Sequence, residues 1–417
     1  MVVAEAKDTG TSAGLLRDRD FLLFAGGQGA SALGDSLSKT ALPLLVLALT
    51  GSAMHMGVIA MLSTLPMLVL GVPAGAWADR FDRRRMMLWS DIGRTVLVAL
   101  VPLAAVLGLP VLPVLYAISV PVGVLFVVFE AACLSCVPAL VGRERLAGAN
   151  SLLSVGNALG YLIGPSLGGL LVAGVGGAVT IGVDAATFAV SAFTLLFIRR
   201  PLQAPDPSGP SPMGRQIREG LRFIAGRRLL LAVLVYWSAI TFCTAPVVIC
   251  ATYFVRTDLG RPPQVIGLII TVYAVGAIVG AALTPRLRRS STRVMVAGTT
   301  IGGVALLVFA VTSSLPLILA AALLAGTGEA VAAIFYTTLR AEITPDELLG
   351  RVTTTAQVAT FALRPLSVFV AGIALEATSG AATLATIGAL CLVASAVFAF
   401  RTRSLDTAPT PSAKAGR

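Results

Sequence analysis

Long apolar runs separated by short polar breaks dominate the chain. Twelve of them cover 21–49, 56–78, 87–108, 113–138, 150–174, 178–198, 229–254, 265–284, 293–312, 315–338, 352–376 and 380–400. Each is long enough to cross a bilayer as a helix, which takes roughly 20 residues. Most connecting loops hold only a few residues. The exception is 199–228, which opens with Arg199-Arg200-Pro201 and a Pro/Ser-rich run from Pro205 to Pro212, the composition of a linker. Beyond it, Met213, Ile217, Leu221 and Ile224 recur at helical spacing, with Arg215, Arg218 and Arg222 on other faces. This pattern predicts a helix lying on the membrane surface. The expected fold class is an all-α membrane protein of twelve transmembrane helices. The expected organisation is an N-terminal tail at 1–20, a six-helix bundle at 21–198, the linker with its amphipathic helix at 199–228, a second six-helix bundle at 229–402 and a disordered tail at 403–417.

Composition sharpens the picture. Hydrophobic residues make up 56% of the 417 residues and charged ones only 12%, against roughly 25% charged in soluble domains. Mean hydropathy is +0.90. Such a chain cannot cover a water-facing surface with polar groups, which excludes a cytosolic enzyme and a disordered scaffold. The net charge of +11 would point to nucleic acid in a soluble protein, but its distribution gives another reason. With the N-terminus inside, 26 of the 31 lysines and arginines fall on one side, and only Arg256 and Arg261 on the other. The positive-inside rule then places both termini in the cytoplasm, and the expected location is the plasma membrane. The first 20 residues carry Glu5, Asp8, Asp18 and Asp20 and show no cleavable signal, so the first span is expected to direct insertion.

The two halves look like repeats. Gly75-Ala76-Trp77-Ala78-Asp79-Arg80-Phe81-Asp82-Arg83-Arg84 closes the second span, and Gly280-Ala281-Ala282-Leu283-Thr284-Pro285-Arg286-Leu287-Arg288-Arg289 closes the eighth. Gly164-Pro165 in the fifth is matched by Arg364-Pro365 in the eleventh. Parallel six-span repeats are a common transporter architecture. The run Gly71 to Arg85 resembles the signature loop of the major facilitator superfamily, G-x-x-x-D-R-x-G-R-R, with Asp82 at the second glycine. That turn must therefore avoid the backbone conformation that favours glycine. Gly34-Asp35, Ser90-Asp91 with Arg94, and Leu349-Gly350-Arg351-Val352 are most similar to the third drug:proton antiporter subfamily, which includes macrolide and siderophore exporters. The fifth span, with Gly156, Gly160, Gly164, Pro165, Gly168 and Gly169, resembles the glycine signature found mainly in exporting members. Glycines at spacing four let helices approach closely, and Gly276 and Gly280 of the eighth span offer a matching stripe.

Both readings bear on the loop after the second span. Asp79 at a helix end can cap a neighbouring helix N-terminus, and the resemblance implies that this neighbour is the eleventh span. Arg80, Arg83 and Arg84 can pair with carboxylates across the cytoplasmic seam. Gly75, Asp79, Arg80, Arg83 and Arg84 therefore form the candidate cytoplasmic gate, beside the simpler reading of a positive-inside anchor.

Ionisable residues deep in a span are costly and are functional candidates by default. Asp35, Lys39, Glu130, Glu329 and Arg364 are the ones expected near mid-depth, and the resemblance implies that their helices line or flank a central cavity. Asp35 and Lys39 stand at i, i+4, so Asp35 is either a proton- or substrate-coupling group or half of a structural ion pair. A carboxylate in a low-dielectric cavity can load and release a proton at working pH, which makes Glu130 and Glu329 coupling candidates. Arg364 meets either a carboxylate or an anionic cargo group. Asp91 and Arg94 are expected as a structural pair, Asp184 as a local cap or structural contact near the outer end of the sixth span, and His55 as an exposed loop residue. Cys133-Leu-Ser-Cys136 reads as helix packing, and Gly27-Gln28-Gly29 lies inside a span with no strand before it. No P-loop occurs, and one histidine leaves no room for most catalytic constellations.

The sequence reads as a secondary active exporter of an amphipathic small molecule such as an antibiotic, drug or metabolite. Proton antiport with alternating access is the expected drive. No enzyme activity, cofactor, metal or nucleic-acid partner is expected; the partners are cargo, protons and lipid, and the chain is expected to be a monomer. An importer or facilitator on the same fold, and a membrane-embedded enzyme or lipid-handling protein, are the rivals.

Overall fold

A computed structural model describes residues 12–203, 213–287 and 291–406. The Pro/Ser-rich run at 205–212 and most of the C-terminal tail lie outside the described residues. Among the described residues, twelve helical segments are long and apolar enough to cross a membrane. In chain order the spans are Arg19–Thr50, Ala53–Gly71, Arg83–Val106, Val111–Val141, Leu146–Val175, Gly177–Phe197, Arg228–Asp258, Pro263–Arg286, Ser291–Val311, Leu315–Ile343, Leu348–Ala377 and Gly380–Thr402. Helices are the solution hydrocarbon imposes, because every backbone N–H and C=O must find its partner inside its own segment. The last helix continues to Asp406, beyond the expected boundary at 402.

Two spans are broken where the sequence pattern predicts unbroken runs. The seventh consists of Arg228–Thr244, Val247–Tyr253 and a wider turn at Phe254–Asp258. The helix through the eleventh stops at Phe361 and restarts at Arg364. Pro246 and Pro365 stand at these breaks. A proline has no N–H, so Pro246 cannot bond the carbonyl of Phe242 four residues back. The Ser367 hydroxyl donates to that freed oxygen. One break thus supplies the hydrogen bond that the other lacks.

By contacts the chain forms two compact units. One comprises Met1–Met213, Val255–Thr271 and Val368–Glu376; the other comprises Gly214–Phe254, Val272–Ser367 and Ala377–Arg417. This division assigns two segments of the second half to the first unit. Inside the first unit the third span packs on the fourth and sixth, and the first on the fifth and sixth. Inside the second, the ninth packs on the tenth and twelfth, and the seventh on the eleventh and twelfth. The pairing repeats with a shift of six spans. The fourth span meets the second at Gly123, close to Ser63 and Pro66, as the tenth meets the eighth at Gly326, close to Tyr273 and Ala277. Outward faces carry large apolar side chains such as Trp89, Phe193 and Val235, as a lipid-facing surface requires.

The linker helix forms over Met213–Gly226. Ile224 of this helix is 2% exposed and packs with Leu230, Leu234, Val352 and Ala356. Arg351 of the expected Leu349-Gly350-Arg351-Val352 motif pairs with Glu219 of this helix at 2.6 Å. The helix docks on the second unit through Gly220 and Ile224, while Leu221 and Arg222 stay exposed.

The fifth-span stripe also finds a different neighbour. Gly160, Gly164 and Gly168 face the first span, at Ala32–Leu33, Leu33–Ser36 and Leu37–Thr40, whereas Gly156 faces open space. Gly169 meets the start of the eighth span at Pro263 and Gly267, while Gly276 and Gly280 pack on the tenth at Leu323 and Thr327. The expected match between the two stripes is therefore replaced by a first–fifth and an eighth–tenth contact. A Cβ at Gly160 would stand 3.0 Å from the Ala32 carbonyl carbon and 3.1 Å from the Leu33 nitrogen, and backbone cannot yield. Gly160→Leu should cost about 1–3 kcal/mol or more by overpacking. The check is thermal unfolding of the purified protein beside Gly156→Leu, which should be close to wild type; equal melting of the two variants would remove the first–fifth contact.

Candidate functional site

The first span carries two chemically different faces at mid-length. On one, Gly34 leaves room for Asp184 and Thr187 of the sixth span, whose side-chain oxygens occupy the space a Cβ would need. Asp184 is 4% exposed and accepts hydrogen bonds from Ser38 at 2.5 Å and Thr187 at 3.3 Å. Asp184 thus makes a structural contact, one of the two roles expected for it, and makes it with the middle of the first span.

The other face opens onto a cavity of about 460 Å³, within the usual range for small-molecule sites. Asp35, Lys39, Arg94, Glu130, Asn157 and Tyr161 contribute its polar wall, and Phe126 and Phe129 part of its apolar wall. Three of the five expected mid-span charges therefore meet here. Lys39 does not pair with Asp35 one turn away. Its ammonium donates to the Tyr161 hydroxyl at 3.0 Å and lies 4.5 Å from the centre of that ring. This leaves Asp35 within electrostatic reach of both Lys39 and Arg94 without a hydrogen bond to either.

Arg94 is the charge whose importance the sequence understated. It forms the expected pair with Asp91, and both side chains are almost fully buried. Its guanidinium lies 4.5 Å from the Phe129 ring centre and 4.2 Å from that of Phe188, a cation–π sandwich from the fourth and sixth spans. It also borders the cavity, so one arginine links the structural core to the open site. The aromatic spacing that holds it spans 59 residues of sequence, from Phe129 to Phe188, which local pattern reading does not join.

In the second unit, Glu329 accepts a hydrogen bond from the Tyr273 hydroxyl at 2.5 Å. Arg364 lies 4.6 Å over the Phe361 ring and within electrostatic reach of Glu329. Glu130 and Glu329 are alike in standing beyond the glycines that seat their helices, Gly123 and Gly326.

The arginine loop is built mainly on backbone. Asp82 caps the third span by accepting from the Arg85 N–H at 2.8 Å, with φ −62°, an ordinary conformation consistent with the missing glycine. Arg83 donates to the carbonyls of Ala78 at 3.0 Å and Ser135 at 2.8 Å, and Arg84 to those of Leu195 and Leu196 at 3.0 and 2.6 Å. Ala78, Leu195 and Leu196 lie in the last turns of their helices, where cations are favoured, whereas Ser135 lies six residues before the end of the fourth span. Asp79 is half-exposed and 3.7 Å from Arg83; Arg80 is exposed and Gly75 half-buried. Arg83 and Arg84 thus find helix carbonyls inside the first unit. Two further contacts escaped the sequence. Asp18 caps the first span and pairs with Arg200 at 2.6 Å, and half-buried His55 bonds Tyr116 at 2.6 Å instead of standing free in a loop.

Comparison with known proteins adds the family context. Residues 15–415 match the family described as Transmembrane secretion effector. The Multidrug efflux pump Tap of Mycolicibacterium fortuitum is 32% identical over 394 residues, covering 91% of this chain and 95% of that protein. Macrolide efflux protein A of Streptococcus pyogenes is 23% identical over 277 residues, covering 62% and 64%. Among solved structures, a bacterial homologue of the human lysosomal transporter Spinster, inward-facing and unoccupied, gives a TM-score of 0.75 at 15% identity over 95% of this chain and 99% of that one. An inward-facing bacterial homologue of the iron transporter ferroportin gives 0.71 at 18% identity over 92% and 98%. These structures share the major facilitator fold with this chain, and its twelve apolar helices make it a multi-pass membrane protein.

The buried Asp91–Arg94 pair yields a direct test. Removing one partner strands the other charge, at about 3–5 kcal/mol, whereas an apolar pair of similar volume is tolerated. Asp91→Leu and Arg94→Met should each lower the melting temperature, and the double variant should recover most of the loss. Additive losses in the double variant would show that the two residues act apart.

Proposed function

This chain belongs to the Transmembrane secretion effector family of the major facilitator superfamily, and we propose that it is a secondary active exporter of amphipathic small organic molecules, driven by inward proton flow. The cargo class is that of antibiotics, drugs and secondary metabolites. Both termini are cytoplasmic and the protein works as a monomer in the plasma membrane by alternating access.

The observation that carries this reading is the cavity that combines Phe126 and Phe129 with Asp35, Glu130 and Lys39. An amphipathic cargo needs an apolar wall for its bulk and a few fixed charges for orientation. A carboxylate in such a space can exchange a proton for a cargo contact, which couples the two gradients. Glu329, held by Tyr273, is the matching carboxylate of the second unit. The efflux names of the relatives and the fifth-span glycine run support export over import. Asp79, 3.7 Å from Arg83, is the group that caps a neighbouring helix in one of the two access states.

The experiment is uptake into inverted vesicles with an imposed pH gradient, using ethidium and a macrolide as probes. Uptake that follows the gradient supports proton-driven export; uptake indifferent to the gradient overturns it. Glu130→Gln and Glu329→Gln should each reduce gradient-driven uptake by about 5- to 150-fold, the range of ordinary coupling energies, while equilibrium probe binding changes less. Full gradient-driven uptake in the double variant would take both residues out of the coupling mechanism. Asp79→Asn should insert normally yet slow transport, and wild-type transport in that variant would leave the loop as an anchor only.

A further inference from the structure

Glu376 has a role that its sequence position does not announce. It is the next-to-last residue of the eleventh span, yet it serves the second span. The N-cap of the second span, Ser52, makes no side-chain capping bond. Glu376 Oε2 supplies what is missing, accepting from the Ser52 hydroxyl at 3.0 Å, the Ala53 N–H at 2.9 Å and the Met54 N–H at 3.2 Å. A carboxylate here meets both unpaired donors and the positive end of the helix dipole.

The contact is reinforced one turn deeper. A Cβ on Gly57 would stand 2.9 Å from the Gly372 Cα, and one on Gly372 would stand 3.0 Å from the Gly57 Cα. No other residue type lets these two backbones meet. A second seam lies between the fifth and eighth spans. There the hydroxyls of Ser166 and Thr271 are 2.7 Å apart and Thr271 also donates to the Leu162 carbonyl at 3.0 Å. These contacts explain why Val255–Thr271 and Val368–Glu376 group with the first unit. All lie toward the ends of their spans that face away from the termini, the outer face in the proposed orientation.

We infer that Glu376 is a positioning residue of the transport cycle: its carboxylate latches the outer ends of the second and eleventh spans together, and its release opens the outer face. The inference rests on the alternating-access reading above. The second span is suited to carry such a latch because it is one long helix, Ala53–Arg80, that ends beside Asp79 on the opposite face. Capping at one end and release at the other then belong to the same helix, which also holds Pro66 and Pro73. Charge-assisted bonds of this kind are worth enough to shift a two-state balance by about ten-fold or more.

The test is thiol labelling of Ala32→Cys, a cavity-wall position, in a full-length chain whose five native cysteines are alanine. A charged, membrane-impermeant maleimide is applied to right-side-out and to inverted vesicles. Glu376→Ala should speed labelling from the outer side by about ten-fold and slow it from the inner side. Glu376→Gln, which keeps an acceptor oxygen without the charge, should move both rates in the same directions by less. Unchanged labelling in Glu376→Ala overturns the latch, as does faster labelling from both sides, which marks general loosening. If the alanine variant fails to insert, the glutamine variant decides by the same criteria. Labelling needs neither cargo nor a proton gradient, so its failure is separable from a failure of the export reading.

Discussion

Hydrocarbon offers the backbone no hydrogen-bond partner, and the rest of this structure follows from that. Every span must close its own N–H and C=O groups, so the chain can cross the bilayer only as helices. Where a helix is interrupted, its orphaned groups must be met by protein. Pro246 frees the Phe242 carbonyl, and Ser367, just beyond the break at Pro365, takes it up. The second span begins without a cap of its own, and Glu376 provides one. Each irregularity is satisfied by a residue far away in sequence, which ties distant spans together at the points where they depart from regular helix.

The same constraint sorts the charges. Asp91 and Arg94 are buried together, with the Arg94 guanidinium between Phe129 and Phe188, and act as structure. Asp184 is buried against Gly34 and stabilised by hydroxyls. Asp35 and Glu130 instead face a cavity, where a charge can be exchanged for a proton or a cargo contact. Charges made fully redundant to the cavity by packing hold the bundle; those left on its wall are available for work. Arg94 belongs to both groups, which links the stability of the first unit to the electrostatics of its site.

Much of this was legible in the sequence because hydrophobic length is a one-dimensional signal. The twelve spans, the repeat and the mid-span charges could all be read along the chain. Partners could not. Spacing of four marks Gly160 and Gly164 as a smooth face but does not say which helix meets it, and the first span does so instead of the eighth. Local spacing favours Asp35 for Lys39, yet Tyr161 of the fifth span offers both a hydroxyl and a ring. Asp184 looked peripheral because its depth was counted along its own span; its position against the middle of the first span comes from packing. Pro365 marks the break in the eleventh span, but the Ser367 contact with Phe242, 125 residues away, and the use of Glu376 by the second span, 322 to 324 residues away, lie in no local window.

Coupling by cavity carboxylates is the central claim, and proton counting tests it most directly. Purified protein is titrated with a saturating macrolide or ethidium in weakly buffered detergent solution while the pH is recorded. The account predicts that probe binding releases protons, and that the release disappears in the Glu130→Gln, Glu329→Gln double variant although the probe still binds. Probe binding that releases no protons at any pH across the working range would contradict it.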